Sequence, residues 1–316
     1  MGDGSRLQAK LSLNLLVVVS LAAAAFWWLS PHTAPSEDEA RSAATLMKDA
    51  LAPGDALLLV PPWAEAARRP LPEELPVLSL PADDLDLELP GRLWVLAFPT
   101  LAGGEVDEAL GTLARRFGPP SVDQSLARTR LLRFTPRGPR PAWRLTDAIA
   151  STRVTLGGHA CRWLPRTNQS ARFKCPGPAW LWVGAQTREI DYLPRRCVMA
   201  HPATGRPLRI EISDLPRDHR LELRAGIVGS MGLVRDAAPV QLELRRGETR
   251  LGELTVEPRP GWQRASFPDA AGAAPPLDPP PPTVLEITTP NDGGRHLCLE
   301  LMAFPSAAAP AVEAAP

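Results

Sequence analysis

Two rhythms of apolar and polar residues run along this chain. From about residue 37 to 135, short unbroken apolar runs alternate with stretches whose apolar residues recur at helical spacing. "DALLLV" (Asp55–Val60), "PVLSL" (Pro76–Leu80) and "RLWVLAF" (Arg92–Phe98) are continuous runs, which predict strands buried on both faces. Val106, Leu110, Leu113 and Phe117 follow the helical period, and Gly118-Pro119 closes that helix. Ser36 with Glu39 three residues on forms a capping box, opening a helix to about Leu51 that Pro53-Gly54 stops. "RTRLLRF" (Arg128–Phe134) supplies a last strand. Strands alternating with helices predict a small α/β, Rossmann-like layer domain over residues 37–135.

"TPRGPRPAW" (Thr135–Trp143) reads as a linker, and beyond it the pattern becomes alternation. Leu208, Ile210 and Ile212, like Val240, Leu242 and Leu244, are separated by polar or charged residues. Similar segments recur roughly every eight to twelve residues as far as "RHLCLELMAF" (Arg295–Phe304). The expectation is an antiparallel, jelly-roll-like β-sandwich over residues 136–305. "NDGG" (Asn291–Gly294) is a turn between the last two strands, and "APPLDPPPP" (Ala274–Pro282) a stiff polyproline loop. Residues 306–316 form an Ala/Pro tail with too little to bury, and are expected to be disordered.

At the other end, "LSLNLLVVVSLAAAAFWWL" (Leu11–Leu29) holds no charge. Its nineteen residues would span about 28 Å as a helix, close to the ~30 Å hydrocarbon core. Arg6 and Lys10 precede it, and Glu37, Asp38 and Glu39 follow. The positive-inside bias therefore gives a cytoplasmic N-terminus (1–10), a transmembrane signal anchor (11–29), and a remainder in the periplasm or at the cell surface. A signal peptide cleaved around Ala23 and Ala25 is the alternative, and it exports the same remainder.

Export changes the meaning of the cysteines. Cys161, Cys175, Cys197 and Cys298 all follow the apolar segment, and an even number in an oxidising compartment reads as disulfides. Of three pairings, Cys161–Cys175 and Cys197–Cys298 are expected, worth ~3 and ~4.7 kcal/mol from their loop lengths. A zinc site at His159, Cys161 and Cys175 lacks the close paired spacing of such sites, and there is no C-x-x-C. Asn168-Gln169-Ser170 matches a glycosylation sequon but carries no assignment. Lys+Arg and Asp+Glu number 35 each, so nucleic acid is not an expected partner. The 37 prolines argue against a mostly helical chain.

No catalytic residue, metal or cofactor is assigned. "DDLDLEL" (Asp83–Leu89) alternates, which predicts a strand with Asp84, Asp86 and Glu88 on a solvated face. The same carboxylates are the candidates for a hydrolase with an unrecognised site. "GIVGSMG" (Gly226–Gly232) is neither G-x-S-x-G nor a Walker loop, and reads as a glycine-rich β connection. The five histidines show no H-E-x-x-H, although His201 and His296 become neighbours if Cys197 bonds Cys298. Seven tryptophans follow the apolar segment, against the single Tyr192. Trp180 and Trp182 would share a face of one strand, forming a ligand platform if exposed and core if buried. With Trp163 they are the candidate ligand contacts.

"LAPGDALLLVPPW" (Leu51–Trp63), "GRLWVLAF" (Gly91–Phe98) and "RLLRF" (Arg130–Phe134) resemble the soluble extracytoplasmic domain of membrane glycosyltransferases of the protein-mannosyltransferase type. The resemblance covers about residues 37–135. That family's activity is associated with acidic loops between many membrane helices, and one such helix is expected here. The resemblance therefore implies an envelope location and a glycan context, or an accessory subunit, and not an activity. The sandwich half resembles jelly-roll carbohydrate-binding modules in strand pattern. Together these give the expectation of a single-pass, envelope-anchored, non-enzymatic protein whose sandwich binds a glycan or an envelope protein.

Overall fold

The computed structural model describes residues 15–26, 28, 37–62, 64–72, 75–80, 84–102, 104–126, 128–165, 171–190, 193–229, 238–268, 281–293 and 296–306. The chain divides into two compact units: residues 1–83 with 90–136, and residues 84–89 with 137–316. The short excursion Asp84–Leu89 thus belongs to the second unit, although the chain on both sides of it belongs to the first.

In the first unit, the three apolar runs form strands β1 (Ala56–Val60), β2 (Val77–Ser79) and β3 (Leu93–Ala97), with β1 and β3 buried throughout. β1 lies parallel to both β2 and β3. β4 (Val122–Leu126) and β5 (Thr129–Phe134) complete the order β2-β1-β3-β5-β4, and β5 runs antiparallel to β3. Among the described residues, the connection from β1 to β2 carries only the 3-10 turn Glu65–Arg68. The layer is therefore a mixed α/β sheet, which departs from the expected Rossmann-like arrangement. Helix α1 (Glu37–Lys48) packs Ala43, Ala44 and Met47 with Leu57, Leu59, Trp94 and Leu96. Phe134 points to the other face, where it meets Phe117 of the helix Gly104–Phe117 at 6.5 Å. Asp55 ties strand to loop: it accepts from Arg92 Nε (2.9 Å), the Trp94 indole N–H (2.9 Å) and the Ala52 amide (3.0 Å). Burial alone would raise its pKa, but these donors hold it below the ordinary value.

The second unit is a two-sheet antiparallel sandwich. One sheet has the order β17-β14-β19-β12-β11-β10-β9, with the short β6 (Trp143–Arg144) added against β19. Its strands are β9 (Arg162–Leu164), β10 (Arg172–Lys174), β11 (Trp182–Ile190), β12 (Leu193–Ala200), β14 (His219–Ile227), β17 (Gln263–Phe267) and β19 (Leu297–Pro305). The other has the order β16-β15-β18-β13-β7-β8. It comprises β7 (Arg153–Leu156), β8 (His159–Ala160), β13 (Leu208–Ile212), β15 (Val240–Arg246), β16 (Thr249–Val256) and β18 (Thr283–Thr288). Inward residues of both sheets, among them Val198, Leu223, Leu299, Ile210, Leu242 and Leu285, share one core. Trp143, read from sequence as the end of a linker, is in a strand. β18 and β19 lie in different sheets, so the "NDGG" turn belongs to an inter-sheet connection.

Two sequence expectations meet a different arrangement. "DDLDLEL" is a helical turn, α2 (Asp84–Glu88), and Asp86 is 4% exposed instead of solvated. Five residues are too few for alternation to distinguish strand from helix, and two arginines draw Asp86 inward. Of the expected membrane segment, residues 15–26 are helical and their large apolar side chains are exposed; residues 11–14, 27 and 29 lie outside the described residues. No helix among the described residues is long and apolar enough to cross a membrane. The sequon, Ser230, Ala274–Pro280 of the polyproline stretch and residues 307–316 also lie outside the described residues.

Candidate functional site

β10 and β11 divide the tryptophans between the two faces of their sheet. Phe173 pairs with both Trp163 and Val183, and Lys174 pairs with both Arg162 and Trp182. Because side chains alternate along a strand, the first row faces the sandwich core and the second faces outward. Trp163 accordingly meets buried Phe173 at 4.8 Å with the rings tilted, and packs against the core, on the opposite face from Trp182. Trp180 lies in the turn just before β11. That turn is held by backbone bonds from Leu181 to Pro178 (3.1 Å) and from Cys175 to Leu181 (3.0 Å). The Cys161–Cys175 disulfide staples it to the strand before. Leu181 is buried, while Trp180 keeps 43% of its surface exposed.

Both rings converge on a histidine pair. Ala200 at the end of β12 faces Leu297 at the start of β19, so the next residues outward, His201 and His296, lie opposite each other. Their rings are 4.6 Å apart and nearly perpendicular. Trp182 meets His201 at 5.1 Å and Trp180 meets it at 5.9 Å, both edge-on. His201 is 5% exposed, and its Nε2 is buried without a hydrogen-bond partner. Burial, then the neighbouring His296 and Arg188, lower its pKa to about 4; burial and Arg188 also lower His296. Both imidazoles are therefore neutral at pH 7. The Arg172 guanidinium lies 5.3 Å from the Trp182 ring centroid, over its face.

The site thus has an accessible indole, a second indole beside it, and a polar ring nitrogen beneath both without a partner. Such a nitrogen forgoes about 1–3 kcal/mol unless something bonds it. This chemistry suits binding a ring with hydroxyls. His201 and His296 are the two metal-ligating side chains here, and no group of three His, Cys, Asp or Glu that could hold a metal occurs among the described residues. All four cysteines are in disulfides, Cys161–Cys175 and Cys197–Cys298.

Elsewhere on the outward face of this sheet, sequence reasoning missed a buried ionic cluster. Asp86 accepts from Arg224 at 2.5 Å and pairs with Arg195 at 2.5 Å. Arg224 also donates to Glu300 at 2.8 Å, and Glu300 is bonded by Arg144 Nε (2.8 Å) and Thr146 (3.3 Å). Burial alone would raise Glu300, but Arg224 and Arg144 outweigh it and hold its pKa low. Trp262 covers Arg224 at 5.0 Å. The sequence does carry a signal. β19, "LCLELMAF", has Cys298 and Met302 at the positions that alternation turns outward, so Glu300 sits in a row that is itself covered. Asp86 is locked between two guanidiniums, which removes it as an available general base for a hydrolase.

No family model and no curated protein matches the chain, so the glycosyltransferase resemblance finds no counterpart. Solved structures similar to parts of the chain include tandem CBM51 modules of the family 98 glycoside hydrolase from Streptococcus pneumoniae. There the identity is 12% and the TM-score 0.28, over 55% of this chain and 53% of that one. The C-terminal family 22 carbohydrate-binding module of Clostridium thermocellum Xyn10B has 8% identity and a TM-score of 0.26, over 52% and 92%. The CBM51-2 and INT domains of Clostridium perfringens ZmpB have 8% identity and a TM-score of 0.24, over 38% of this chain and a quarter (25%) of that one. At such scores none of these assigns a ligand to this chain.

Proposed function

We propose that the protein is a binding protein of the cell envelope whose sandwich holds a glycan, with Trp180 and Trp182 as the aromatic contacts to sugar rings. The observation that carries this is the exposed Trp180 indole set beside Trp182, both held edge-on against the buried His201 ring. An indole face and a fixed polar atom are what a ring with one apolar face and polar edges requires. Residues 11–29 serve as the membrane anchor. The apolar side chains of their described helix are exposed, from 50% at Val17 to 76% at Trp28, and a lipid core would cover them.

The test is affinity electrophoresis of the exported part of the chain through gels carrying neutral and acidic polysaccharides. Retention by at least one gel is expected, and Trp180→Ala with Trp182→Ala should abolish it. The melting temperature of the Trp180→Ala single variant should stay within a few degrees of wild type, since that ring is on the surface. Retention unchanged in the double variant would defeat the proposal, as would no retention of wild type by any polysaccharide.

A further inference from the structure

The charged side chains in register with the aromatic row are cations. Across the outward face run Arg162, Lys174 and Trp182 on neighbouring strands, in register, followed by His201 and His296. Arg162 and Lys174 stand two strands and one strand from Trp182, roughly 10 and 5 Å. A polymer lying across the strands would carry successive residues past all three. Arg172 caps the Trp182 ring, and Arg188 lies further along β11 on the same outward face as Trp182, opposite Arg195. No carboxylate among the described residues pairs with Arg162, Lys174 or Arg188; Lys174 donates to the Pro178 carbonyl at 2.7 Å. Because the chain as a whole is neutral, this excess is local. The outward face of the other sheet differs: Glu243, Glu253 and Glu286 lie side by side, each paired with its own arginine (Arg245, Arg250 and Arg209).

We infer that the aromatic row takes an acidic glycan, one whose sugars carry carboxylates, with Arg162, Lys174 and Arg188 as the side chains that read its charge. This rests on the glycan reading above and adds the sign of the ligand. The two histidines are neutral at neutral pH and lie on the other side of Trp182 from Arg162 and Lys174, so they add no charge of their own to the row. Guanidinium and ammonium groups beside a stacking surface place the carboxylate at the ring's edge while the indole takes its face. Carboxylate and cation meet near the surface, so the attraction falls as salt rises.

Polygalacturonate, alginate and their carboxyl-methyl-esterified forms distinguish charge from shape in the same electrophoresis. Retention by at least one acidic polymer, reduced at least tenfold by its esterification, is expected. Raising NaCl from about 0.05 to 0.5 M should weaken it severalfold. Arg162→Gln with Arg188→Gln should lower acidic retention tenfold or more and leave the melting temperature unchanged. Trp180→Ala with Trp182→Ala should abolish it. Retention by neutral polymers alone would overturn the acidic assignment while leaving the glycan reading intact. Acidic retention that survives loss of both tryptophans would be ion exchange only, and would overturn it too. A further arm uses phosphatidylglycerol vesicles: binding there, without retention by any polysaccharide, would defeat both readings in favour of a membrane surface.

Discussion

His201 is a base kept from its proton by its surroundings. It titrates at about 4 in the folded chain and near 6.5 when unfolded. As the pH falls, the unfolded chain takes up the proton first. The stability that rests on neutral His201 is therefore complete above pH 6.5 and is lost between 6.5 and about 4, about 3 kcal/mol for a shift of that size. Carboxylates held low by arginines, such as Glu300 and Asp55, lose their contribution only below their ordinary values of 4.5 and 3.8. The two windows are separable. Urea unfolding followed from about pH 7.5 to 5 should show a falling midpoint in the wild type and a flatter profile in His201→Gln. A midpoint that stays level across that range in the wild type would show that the imidazole is not shielded from water.

At the scale of elements, α2 is the piece whose role is least apparent from its length. Its five residues insert one carboxylate between Arg195 and Arg224, beneath which lies Glu300, fully buried. Removing one member of such a cluster leaves buried charge without a partner, which costs more than the intact cluster contributes. Asp86→Ala is expected to destabilise the chain by about 3–5 kcal/mol, and Asp86→Asn by less, since the amide oxygen still accepts. Chemical denaturation measures both; a loss below about 1 kcal/mol for Asp86→Ala would mean that water reaches the arginines. This is also where the sequence stops being legible. Long periodic segments could be read: Val106, Leu110, Leu113 and Phe117 are the buried face of their helix. Leu208, Ile210 and Ile212 face the core while Arg209 is exposed. Alternation also puts Trp182 and Trp163 on definite faces, but which face of the sheet remains open depends on what covers it. Ile190, Trp262 and α2 come from distant parts of the chain, and no local pattern announces that they lie over Cys298 and Glu300. The histidine pair could be suspected only through the cysteine pairing that brings β12 and β19 together.

For the whole molecule, the proposed compartment and the proposed site both bear on the two disulfides. Cys197 and Cys298 are fully buried in the sheet, joining β12 to β19 a few residues from His201 and His296. Cys161 and Cys175 retain 8% and 3% exposure, and their bond holds the turn that presents Trp180. The bonds should therefore answer to reductant in sequence. Mild dithiothreitol opens Cys161–Cys175 first, releasing a loop whose closure is worth ~3 kcal/mol, and frees Trp180 from its place beside His201. Glycan retention is lost at that stage, while the core, still closed by Cys197–Cys298, remains folded. Only denaturant together with reductant should open the second bond. Thiol counting by mass after alkylation, run alongside affinity electrophoresis, follows both steps. The exported chain should begin with no free thiols and lose retention when two appear. The same chain lacking residues 11–29 and made in a reducing cytosol should begin with four and show none. Full retention with two thiols already alkylated would separate the turn from binding. Four alkylatable thiols in the folded chain would count against an oxidising exterior, and with it against the proposed anchor and site.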